Sequence, residues 1–305
     1  MPQPRILVIG SSNTDIVSRV TTIPQPGQTV LSHDYFLAQG GKGANQAVAA
    51  ARLGAQVTFL ACLGMDAYGD QALEALQKEG VDTHYILRDP RTNSGLAMIM
   101  VSDDAENIIA VTPGANACLL PEHLVGMESV MQQADCLLLQ FEIPLITVQA
   151  AIAMAKENNL RVILNPAPAQ TIPGEYLSAA DILTPNQSEA ALLSGSPVNT
   201  TNNSLLEVRE HLGCRTMVVT CGASGACIVE EQIQRIPAPS VQAVDTTASG
   251  DAFNAGLAVA LSNGETLQDA VRYAIAVGSL TVTKPGAQPS LPTQTEVAEF
   301  IAQTE

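Results

Sequence analysis

Short apolar runs alternate with amphipathic segments along most of the chain. The run RILVIGSS, which starts at Arg5, is typical of a buried strand, and QVTFLACLG is followed by the helical pattern DAYGDQALEALQKEG. Such alternation predicts βαβ units that form a parallel sheet with helices on both faces. Further strands are predicted in DCLLLQFE, RVILNP, DILTPN and TMVVTCG, and further helices in AVAAARLGA, PLITVQAAIAMAKENN, QSEAALLSG and on either side of Gly264.

Two segments depart from this pattern. Residues at about 13–39 and 94–118 are rich in β-branched side chains, and the first is interrupted by PQPG. Each is predicted to form a pair of strands outside the main sheet, and together they predict a small β-sheet lid. Because no low-complexity linker and no internal repeat divides the sequence, we expect a single α/β domain over residues 1–305, with a mostly parallel central sheet and this lid as its two insertions.

The composition excludes several classes of protein. Apolar residues make up 46% of the chain, and the net charge of −16 disfavours binding to nucleic acid or to anionic membranes, which requires clustered Lys and Arg. No apolar run reaches the length of about 18 residues that a membrane-spanning helix needs. The first residues also lack the apolar core of a signal peptide. We therefore expect a cytoplasmic protein.

The cysteines and histidines give no sign of disulfide or zinc chemistry. The six cysteines include no Cys-x-x-Cys pair and lie mostly in apolar surroundings, so they are predicted to be buried, reduced thiols. The four histidines show no His-x-x-x-His spacing, which disfavours a zinc site.

Candidate chemistry lies where the predicted strands end. The polar clusters GSSNTD, QFE, TPNQSE and TCGASG each follow an apolar run. Ligands of open parallel sheets bind at the carboxyl ends of the strands, so we expect these clusters to share one cleft.

The stretch GGKGANQ, residues 40–46, places three glycines around one lysine where a helix is predicted to begin. Glycine lets a ligand approach the backbone closely, and the first amides of a helix can receive an anion. The alternative is a tight turn with a solvated lysine, and the stretch alone does not decide between them. It is not a Walker A loop, since Gly43 rather than Ser or Thr follows Lys42.

The stretch VDTTASGDAFNAG is more specific. Small residues lead to Asp251 in the first turn of a predicted helix, so the amides of Ala248, Ser249 and Gly250 can converge on an anion while the carboxylate points into the same space. The helix dipole favours an acidic residue there in any case. It does not explain the small residues that come before.

Two further clusters have both a functional and a structural interpretation. In NQSE, Asn186 and Glu189 could reach a hydrated metal ion bound to phosphates, or form a capping box, which the spacing favours. In TCGASG, Thr220, Gly222 and Gly225 lie in a turn that could also be a simple hairpin connection. The sequence has no Gly-x-Ser-x-Gly and no Gly-x-Gly-x-x-Gly motif, which weakens covalent hydrolysis and dinucleotide binding.

The glycine-lysine stretch with Asn45, and DTTASGD near the C-terminus, resemble the two signatures of the PfkB or ribokinase family of sugar and nucleoside kinases. The resemblance extends to NQSE, TCGASG and the tail TKPGAQPS. It implies the ribokinase-like three-layer αβα sandwich. It also implies ATP-dependent phosphorylation of a pentose at its 5-hydroxyl. The resemblance favours D-ribose over 2-deoxyribose, because Asn13 matches the polar residue two positions before the sugar-binding Asp. The close alternative is a 2-deoxyribokinase, followed by another sugar or nucleoside kinase of the family.

The resemblance also implies roles for individual residues. Asp251 would accept the proton of the attacking sugar hydroxyl, and the amides of Ala248, Ser249 and Gly250 would stabilise the transferring phosphoryl group. The sugar would be held by side chains and backbone from both halves of the chain, namely Asn13, Asp15, Gly41, Lys42, Asn45, Glu142 and Asp251. The ATP site would be formed by Asn186, Thr220, Gly222 and Gly225.

Ions and a partner subunit are implied as well. Glu189 would contact Mg²⁺ through water, while Asp245, the Thr247 carbonyl and the region of Ser290 match the family's site for a monovalent cation such as K⁺. The lid strands would close over the sugar and, as they often do in family members, pair with a second subunit to form a homodimer. One departure is that the family's frequent GAGD is ASGD here, which places Ala248 where glycine is common.

Two other classes of function are weighed against a kinase. A sugar-binding regulator could keep the fold without catalysis, although Asp251 and the small residues before it argue against this. A structural protein could use the lid only for association, and would then not bind ATP.

Overall fold

The computed structural model describes residues 3–104, 106–170, 174–198 and 202–304. The strands are β1 (Arg5–Ile9), β2 (Asn13–Val20), β3 (Ser32–Gly40), β4 (Gln56–Leu60), β5 (Cys62–Gly64), β6 (Leu87–Asp89), β7 (Gly95–Ser102), β8 (Asn107–Thr112), β9 (Cys136–Leu139), β10 (Arg161–Leu164), β11 (Ile182–Leu183), β12 (Thr216–Thr220), β13 (Ala226–Val229) and β14 (Ile233–Ile236). The helices are α1 (Lys42–Arg52), α2 (Ala67–Lys78), α3 (Glu128–Gln133), α4 (Leu145–Glu157), α5 (Gly174–Ser178), α6 (Gln187–Ser194), α7 (Asn202–Leu212), α8 (Ser249–Ser262), α9 (Leu267–Thr281) and α10 (Gln294–Thr304).

In the described part of the chain, the largest sheet has eight strands in the order β14-β13-β12-β11-β10-β9-β1-β4. The strands from β4 to β12 in this order run parallel, whereas β13 and β14 are antiparallel additions at one edge. The strand order reverses at β1, which lies between β4 and β9. In open α/β sheets, ligands bind outside the carboxyl ends of the strands at such a switch point.

Both faces of this sheet are buried, which explains the continuous apolar runs in the sequence. Ile6 and Val8 of β1 belong to the core shared with α1, α8 and α9. Leu7 and Ile9 belong to the core on the opposite face, shared with α4 and α7. The expected three-layer αβα arrangement with a mostly parallel central sheet is therefore confirmed.

A separate sheet, called the small sheet below, has the strand order β3-β2-β7-β8. It is built from the two segments predicted to leave the main sheet. Asn13, the first residue of β2, pairs with Gly40 on one side and with Gly95 on the other. Because Asn13 follows β1 closely and Gly40 precedes α1, the base of the small sheet lies at the carboxyl edge of the main sheet.

Some local boundaries differ from the expectation. The strand predicted over 56–64 is interrupted after Leu60, and β5 turns away to pair with β6 in a sheet of its own. Helix α1 already begins at Lys42, so most of GGKGANQ is helical. The predicted strand DILTPN contains only the short β11, because Pro185 has no amide hydrogen with which to continue the ladder.

The cysteines are mostly buried, as predicted. Four of them are buried and two, Cys118 and Cys221, are half-buried. Across the described residues, no helix is both long and apolar enough to cross a bilayer.

Candidate active site

The glycines at the start of α1 are required by close contact with the loop after β1. Gly41 precedes the helix with a φ of 86°, a left-handed conformation that glycine adopts without strain. A Cβ on Gly41 would lie 2.7 Å from the amide nitrogen of Asn13, and a Cβ on Gly43 would lie 2.6 Å from that of Ser11. The glycines therefore let the first turn of α1 lie directly at the switch point.

Asp251 is the residue at which the two sequence motifs meet. It is the third residue of α8 and is only 5% exposed. Its Oδ2 accepts a hydrogen bond of 2.9 Å from the side chain of Asn45, and its Oδ1 accepts one of 3.1 Å from Gln46. Burial raises the pKa of Asp251, whereas Lys42 and these two amides act to lower it. The carboxylate is thus a buried base whose ionised form is supported by one cation and two donors.

The amides before Asp251 open the first turn of α8. Ala248, the N-cap residue, has a φ of 59° and so adopts the left-handed conformation that favours glycine, which explains why GAGD is a frequent form of this stretch. The Ser249 amide donates to the Thr246 carbonyl at 3.3 Å, a long bond. Gly250, like any residue in the first turn of a helix, has no intrahelical acceptor for its amide.

Asp15 and Glu142 bring two further carboxylates close to Asp251. Burial, and after it the charges of Glu142 and Asp251, raises the pKa of Asp15 to about 7. Oε2 of Glu142 accepts a hydrogen bond of 2.6 Å from the Ser11 hydroxyl and one of 3.0 Å from the Lys42 amide. These bonds fix the Glu142 carboxylate through one of its two oxygens.

Asn13 is held by a residue that the sequence reasoning missed. The Asn116 side chain donates to Oδ1 of Asn13 at 2.7 Å and accepts from the Ser12 amide at 2.9 Å. Gly95 makes room for this pair, because a Cβ there would lie 2.2 Å from both side chains. Asn116 lies in a short 3₁₀ helix, Gly114–Cys118, that follows β8. Its polar side chain shortly after the apolar run IIAV was the signal that could have identified it.

A cavity of about 740 Å³ lies against the start of α8. Lys42 and Asp251 are in its wall, and Asp15 and Glu142 are not. The residues predicted to bind ATP or the transferring group also line it, namely Asn186, Thr220, Gly222, Gly225, Ala248, Ser249 and Gly250. Much of the remaining wall consists of small or apolar residues that no motif indicated, such as Ala238, Pro239, Val241, Ile275, Gly278 and Val282.

Asn186 and Glu189 have a structural role and a position in the cavity wall at the same time. The Glu189 amide donates to Oδ1 of Asn186 at 2.8 Å, and the Asn186 amide donates to Oε2 of Glu189 at 2.8 Å. This confirms the capping box that the spacing favoured. The turn of TCGASG likewise connects the antiparallel strands β12 and β13 while lining the cavity.

Lys42 lies between the carboxylates rather than in solvent. Burial acts to lower its pKa, but the charges of Asp251, Glu142 and Glu189 outweigh burial, and the pKa is raised. Because its side chain also lines the cavity, a charged ammonium group stands at the boundary between the cavity and the acidic residues.

The comparison with known proteins decides the family. A model described as pfkB family carbohydrate kinase matches residues 3–294. The chain belongs to the pfkB family of carbohydrate kinases. This confirms the family predicted from the sequence.

Several pfkB-family relatives are similar over their full length. The ribokinase of Haemophilus influenzae is 42% identical over 299 residues, which are 97% of this chain and 98% of that protein. The deoxyribokinase of Salmonella typhi is 34% identical, over 98% of this chain and 99% of that protein. The solved structure of Arabidopsis thaliana ribokinase complexed with ribose and ATP has a TM-score of 0.91 at 32% identity, over 98% of this chain and 99% of that chain.

Asp245, beside α8, is the carboxylate for which the pfkB resemblance implies a monovalent cation. Oδ1 of Asp245 accepts hydrogen bonds of 2.9 and 2.6 Å from the amide and hydroxyl of Thr247, and Oδ2 accepts one of 2.8 Å from the Gly286 amide. Although burial acts to raise it, the pKa of Asp245 is lowered by these bonds. The last bond ties the loop before α8 to the loop that contains Ser290. An ionised carboxylate is the type of ligand that a hard cation takes.

The surroundings of Glu189 fit the Mg²⁺ that the pfkB resemblance implies. Burial raises the pKa of this carboxyl, which lines the cavity. Within the described ranges, no three His, Cys, Asp or Glu side chains lie close enough to hold a metal ion by themselves. Mg²⁺ usually keeps several waters and is held by one or two carboxylates together with substrate phosphates, so one carboxylate in the wall is sufficient.

Two buried glutamines near Asp251 were not identified from the sequence. Gln46 and Gln140 are both 0% exposed. Gln46 is part of GGKGANQ, but the pfkB resemblance implies roles only for other residues of that stretch. Gln140 is part of the cluster QFE. An uncharged polar residue at the end of the apolar run CLLLQ was the available signal.

Proposed function

We propose that this pfkB-family protein phosphorylates D-ribose at its 5-hydroxyl, with ATP as the phosphoryl donor. The observation that carries the proposal is the place of Asp251, which lines the 740 Å³ cavity and also bonds Asn45 beside the carboxylates of Asp15 and Glu142. Nucleotide and sugar would therefore meet at this carboxylate. Similarity to proteins named ribokinase supports ribose as the sugar.

Asp251 would act as the base. Phosphoryl transfer passes through a loose transition state, so positioning and charge stabilisation contribute most of the catalysis. A carboxylate suffices as base, because the hydroxyl becomes acidic as its bond to phosphorus forms. The amides from Ala248 to Gly250 would stabilise the charge of the transferring group at the positive end of α8.

The sugar would bind among Asn13, Asp15, Asn45 and Glu142, with the backbone at Gly41 and the side chain of Lys42 beside it. Oδ1 of Asn45 is buried and has no hydrogen-bond partner in the described part of the protein. Such an acceptor is unfavourable unless a ligand pairs it. A pentose offers several hydroxyl donors to this oxygen and to the carboxylates. Asn13 would supply the polar contact that favours ribose over 2-deoxyribose.

ATP would occupy the cavity. Asn186, Thr220, Gly222 and Gly225 would contact it, and the apolar part of the wall suits a purine base, which most pockets for such ligands bury against apolar side chains. A Cβ on Gly225 would lie 2.0 Å from the Ile236 carbonyl, so the turn after β12 keeps its shape only with glycine there.

The proposal includes two ions. When bound, Mg²⁺ neutralises phosphate charge, and Glu189 would hold it through water. Asp245, the Thr247 carbonyl and the region of Ser290 would hold K⁺. Asp245 itself keeps the loop before Ala248 in place, because it accepts a hydrogen bond from the Gly286 amide.

We also propose a homodimer that forms through the small sheet. Apolar side chains are exposed on the face of the sheet opposite to Asp15, including Tyr35 at 71%, Met98 at 53% and Ile108 at 54%. Exposed apolar surface on paired strands indicates an interaction surface. Sedimentation velocity should show a dimer that Ile108→Glu dissociates, while Val125→Glu, at a position that is 80% exposed outside the small sheet, leaves it intact. A monomer at all concentrations would exclude this interface.

The proposed compartment is the cytoplasm. The cysteines support it, because the sequence contains no Cys-x-x-Cys pair and most of the cysteines are buried, as is typical of thiols in a reducing compartment. Fractionation of cells that express the protein would show it elsewhere if this proposal is wrong.

A panel of sugars tests the main proposal. D-Ribose, 2-deoxyribose, D-fructose and a nucleoside are assayed with ATP, Mg²⁺ and K⁺, and D-ribose should give the highest kcat/KM. A higher value for 2-deoxyribose would make the protein a deoxyribokinase. Ribose binding without turnover would favour a sugar-binding regulator, and no ATP binding by calorimetry would favour a structural role.

A further inference from the structure

A chain of buried side chains leads from Asp251 into the protein. The amide of Gln46 donates to Oδ1 of Asp251 at 3.1 Å, and the amide of Gln140 donates to Oε1 of Gln46 at 2.6 Å. Gln46 is in α1, and Gln140 comes directly after β9. The chain therefore links α8, α1 and β9 at the switch point of the sheet.

The direction of each amide follows from the carboxylate. An ionised carboxylate only accepts hydrogen bonds, so Gln46 must present N–H to Asp251 and its oxygen to Gln140. The second N–H of Gln46 lies towards Oδ1 of Asn165, at 3.5 Å. If the Gln46 amide were reversed, its oxygen would face Asp251 and its N–H groups would face those of Gln140. The N–H group of Gln140 is paired with the Gln46 oxygen in the direction that the carboxylate requires, and it supports Gln46 in that direction.

The stability of the fold does not explain a glutamine at position 140. Its Oε1 is buried and has no hydrogen-bond partner in the described ranges. A Cβ on Gly10 would lie 2.1 Å from that oxygen, so the position is tightly enclosed. A buried polar group that is half satisfied stabilises a protein less than an apolar side chain of similar size. What this glutamine provides is the hydrogen bond to Gln46.

We propose that Gln46, held by Gln140, is a positioning residue that fixes the plane of the Asp251 carboxylate for the acceptor hydroxyl. Asn45 holds Oδ2 at 2.9 Å while Gln46 holds Oδ1, so both oxygens are tied and the group cannot turn about its Cβ–Cγ bond. A carboxylate has about four lone-pair positions, which leaves room for the substrate. This inference rests on the proposed role of Asp251 as the base.

Four other charged groups interact electrostatically with Asp251, so that each changes its pKa or has its own pKa changed by it. They are Asp15 on β2, Lys42 on α1, Glu142 after β9 and Glu189 on α6. Methionine at position 46 or 140 alters none of these charges, since it is uncharged and similar in length to glutamine. A changed pH dependence in such variants therefore reports the lost amide.

The test compares Gln46→Met, Gln140→Met and the double variant. kcat is measured from about pH 5 to 9 at saturating ribose and ATP, because kcat reports the pKa of the base in the enzyme–substrate complex. For Gln46→Met we expect kcat lower by about tenfold and its acid limb moved to higher pH, with the ATP KM unchanged. Gln140→Met should give a smaller shift in the same direction. The double variant should equal Gln46→Met, because Gln140 acts through Gln46.

Two further variants separate positioning from packing. Thr147→Val removes a buried hydroxyl that donates to the Leu119 carbonyl at 2.6 Å on the other face of the sheet, and it should lower the thermal midpoint without moving the acid limb. Gln46→Glu keeps an acceptor for Gln140 but presents an acceptor and a negative charge to Asp251, so it should move the acid limb to still higher pH than Gln46→Met does.

The outcomes that contradict the inference differ from those that contradict the function. Glutamine variants that lose stability but keep the parent's kcat and acid limb, or additive effects in the double variant, would overturn the inference. A parent protein that phosphorylates no sugar would overturn the proposed function instead.

Discussion

The side-chain amide of Asn45 lies 2.9 Å from Oδ2 of Asp251 and joins two motifs that are 206 positions apart in the sequence. Asn45 is on α1 next to the acidic residues, while Asp251 is also in the wall of the cavity. GGKGANQ is thereby placed on the side of the site where we propose that the sugar binds. The small residues before Asp251 are placed on the side proposed for phosphate.

Asn45→Ala tests this division. It removes the unpaired acceptor proposed for a sugar hydroxyl, so the ribose KM should rise by about tenfold or more while the ATP KM changes little. kcat should also fall, because Asp251 loses a donor. Thr220→Ala is the matched change on the cavity side and should raise the ATP KM alone. If Asn45→Ala raised the ATP KM more than the ribose KM, the glycine stretch would instead belong to the nucleotide site.

Asp15→Asn should stabilise the protein at alkaline pH. The folded-state pKa of Asp15, about 7, exceeds the ordinary value of 3.8, so the folded protein binds this proton more tightly. The resulting stability is fully present below about pH 4 and is lost as the pH rises through about 7. The gain in unfolding free energy from Asp15→Asn should therefore grow by about 2–4 kcal/mol across this window. Denaturant titrations at several pH values measure it, and a gain independent of pH would contradict the shift.

Gly43→Ala should weaken the contact between α1 and the loop after β1. Its Cβ would lie 2.6 Å from the amide nitrogen of Ser11 and 2.7 Å from the carbonyl carbon of Gly10, and backbone atoms cannot yield as a flexible side chain can. We expect a loss of about 1–3 kcal/mol in unfolding free energy and a lower kcat, because Asn45 moves with the helix. Gly174→Ala, whose Cβ would meet no described atom within 4 Å, is the control and should be neutral. Equal midpoints in urea for the two variants would contradict the steric account.

Ala248→Gly should relieve strain without loss of activity. A side chain at a φ of 59° costs about 1–2 kcal/mol, and glycine loses about 0.5–1 kcal/mol in backbone entropy, so a net gain of about 0.5–1 kcal/mol is expected. kcat should stay within about twofold, because the backbone amide is retained. Asn159→Gly, at a φ of 54° outside the candidate site, is the comparison, with a smaller gain because Asn tolerates this region. A marked loss of kcat in Ala248→Gly would mean that the methyl group itself contributes to the site.

The main elements were predictable because their apolar runs are buried on both faces of one sheet. The start of α1 was not, since glycine disfavours helix and only the tertiary contact of Gly43 with Ser11 shows why a helix begins there. The split after Leu60 was missed for a similar reason, because an apolar run does not reveal that its second half pairs elsewhere.

Within the site, the residues that could be predicted were those whose sequence pattern has no simple structural explanation. Asp251 and the small residues before it form a pattern that helix capping alone does not require, so the sequence singled them out. Ala238 and Ile275 line the cavity. The sequence does not distinguish small and apolar residues that line a cavity from those that pack in a hydrophobic core. Gln46 and Gln140 gain their meaning only from the hydrogen bond between them, which connects positions 94 apart.

The most direct test is Asp251→Asn, which keeps the size of the side chain and removes the base. kcat for ribose phosphorylation should fall by about 10²–10⁴-fold. Ribose binding, measured by calorimetry on the same protein, should stay within about threefold, since most of the proposed sugar contacts remain. Turnover that survives at the parent's rate would contradict the central role of Asp251.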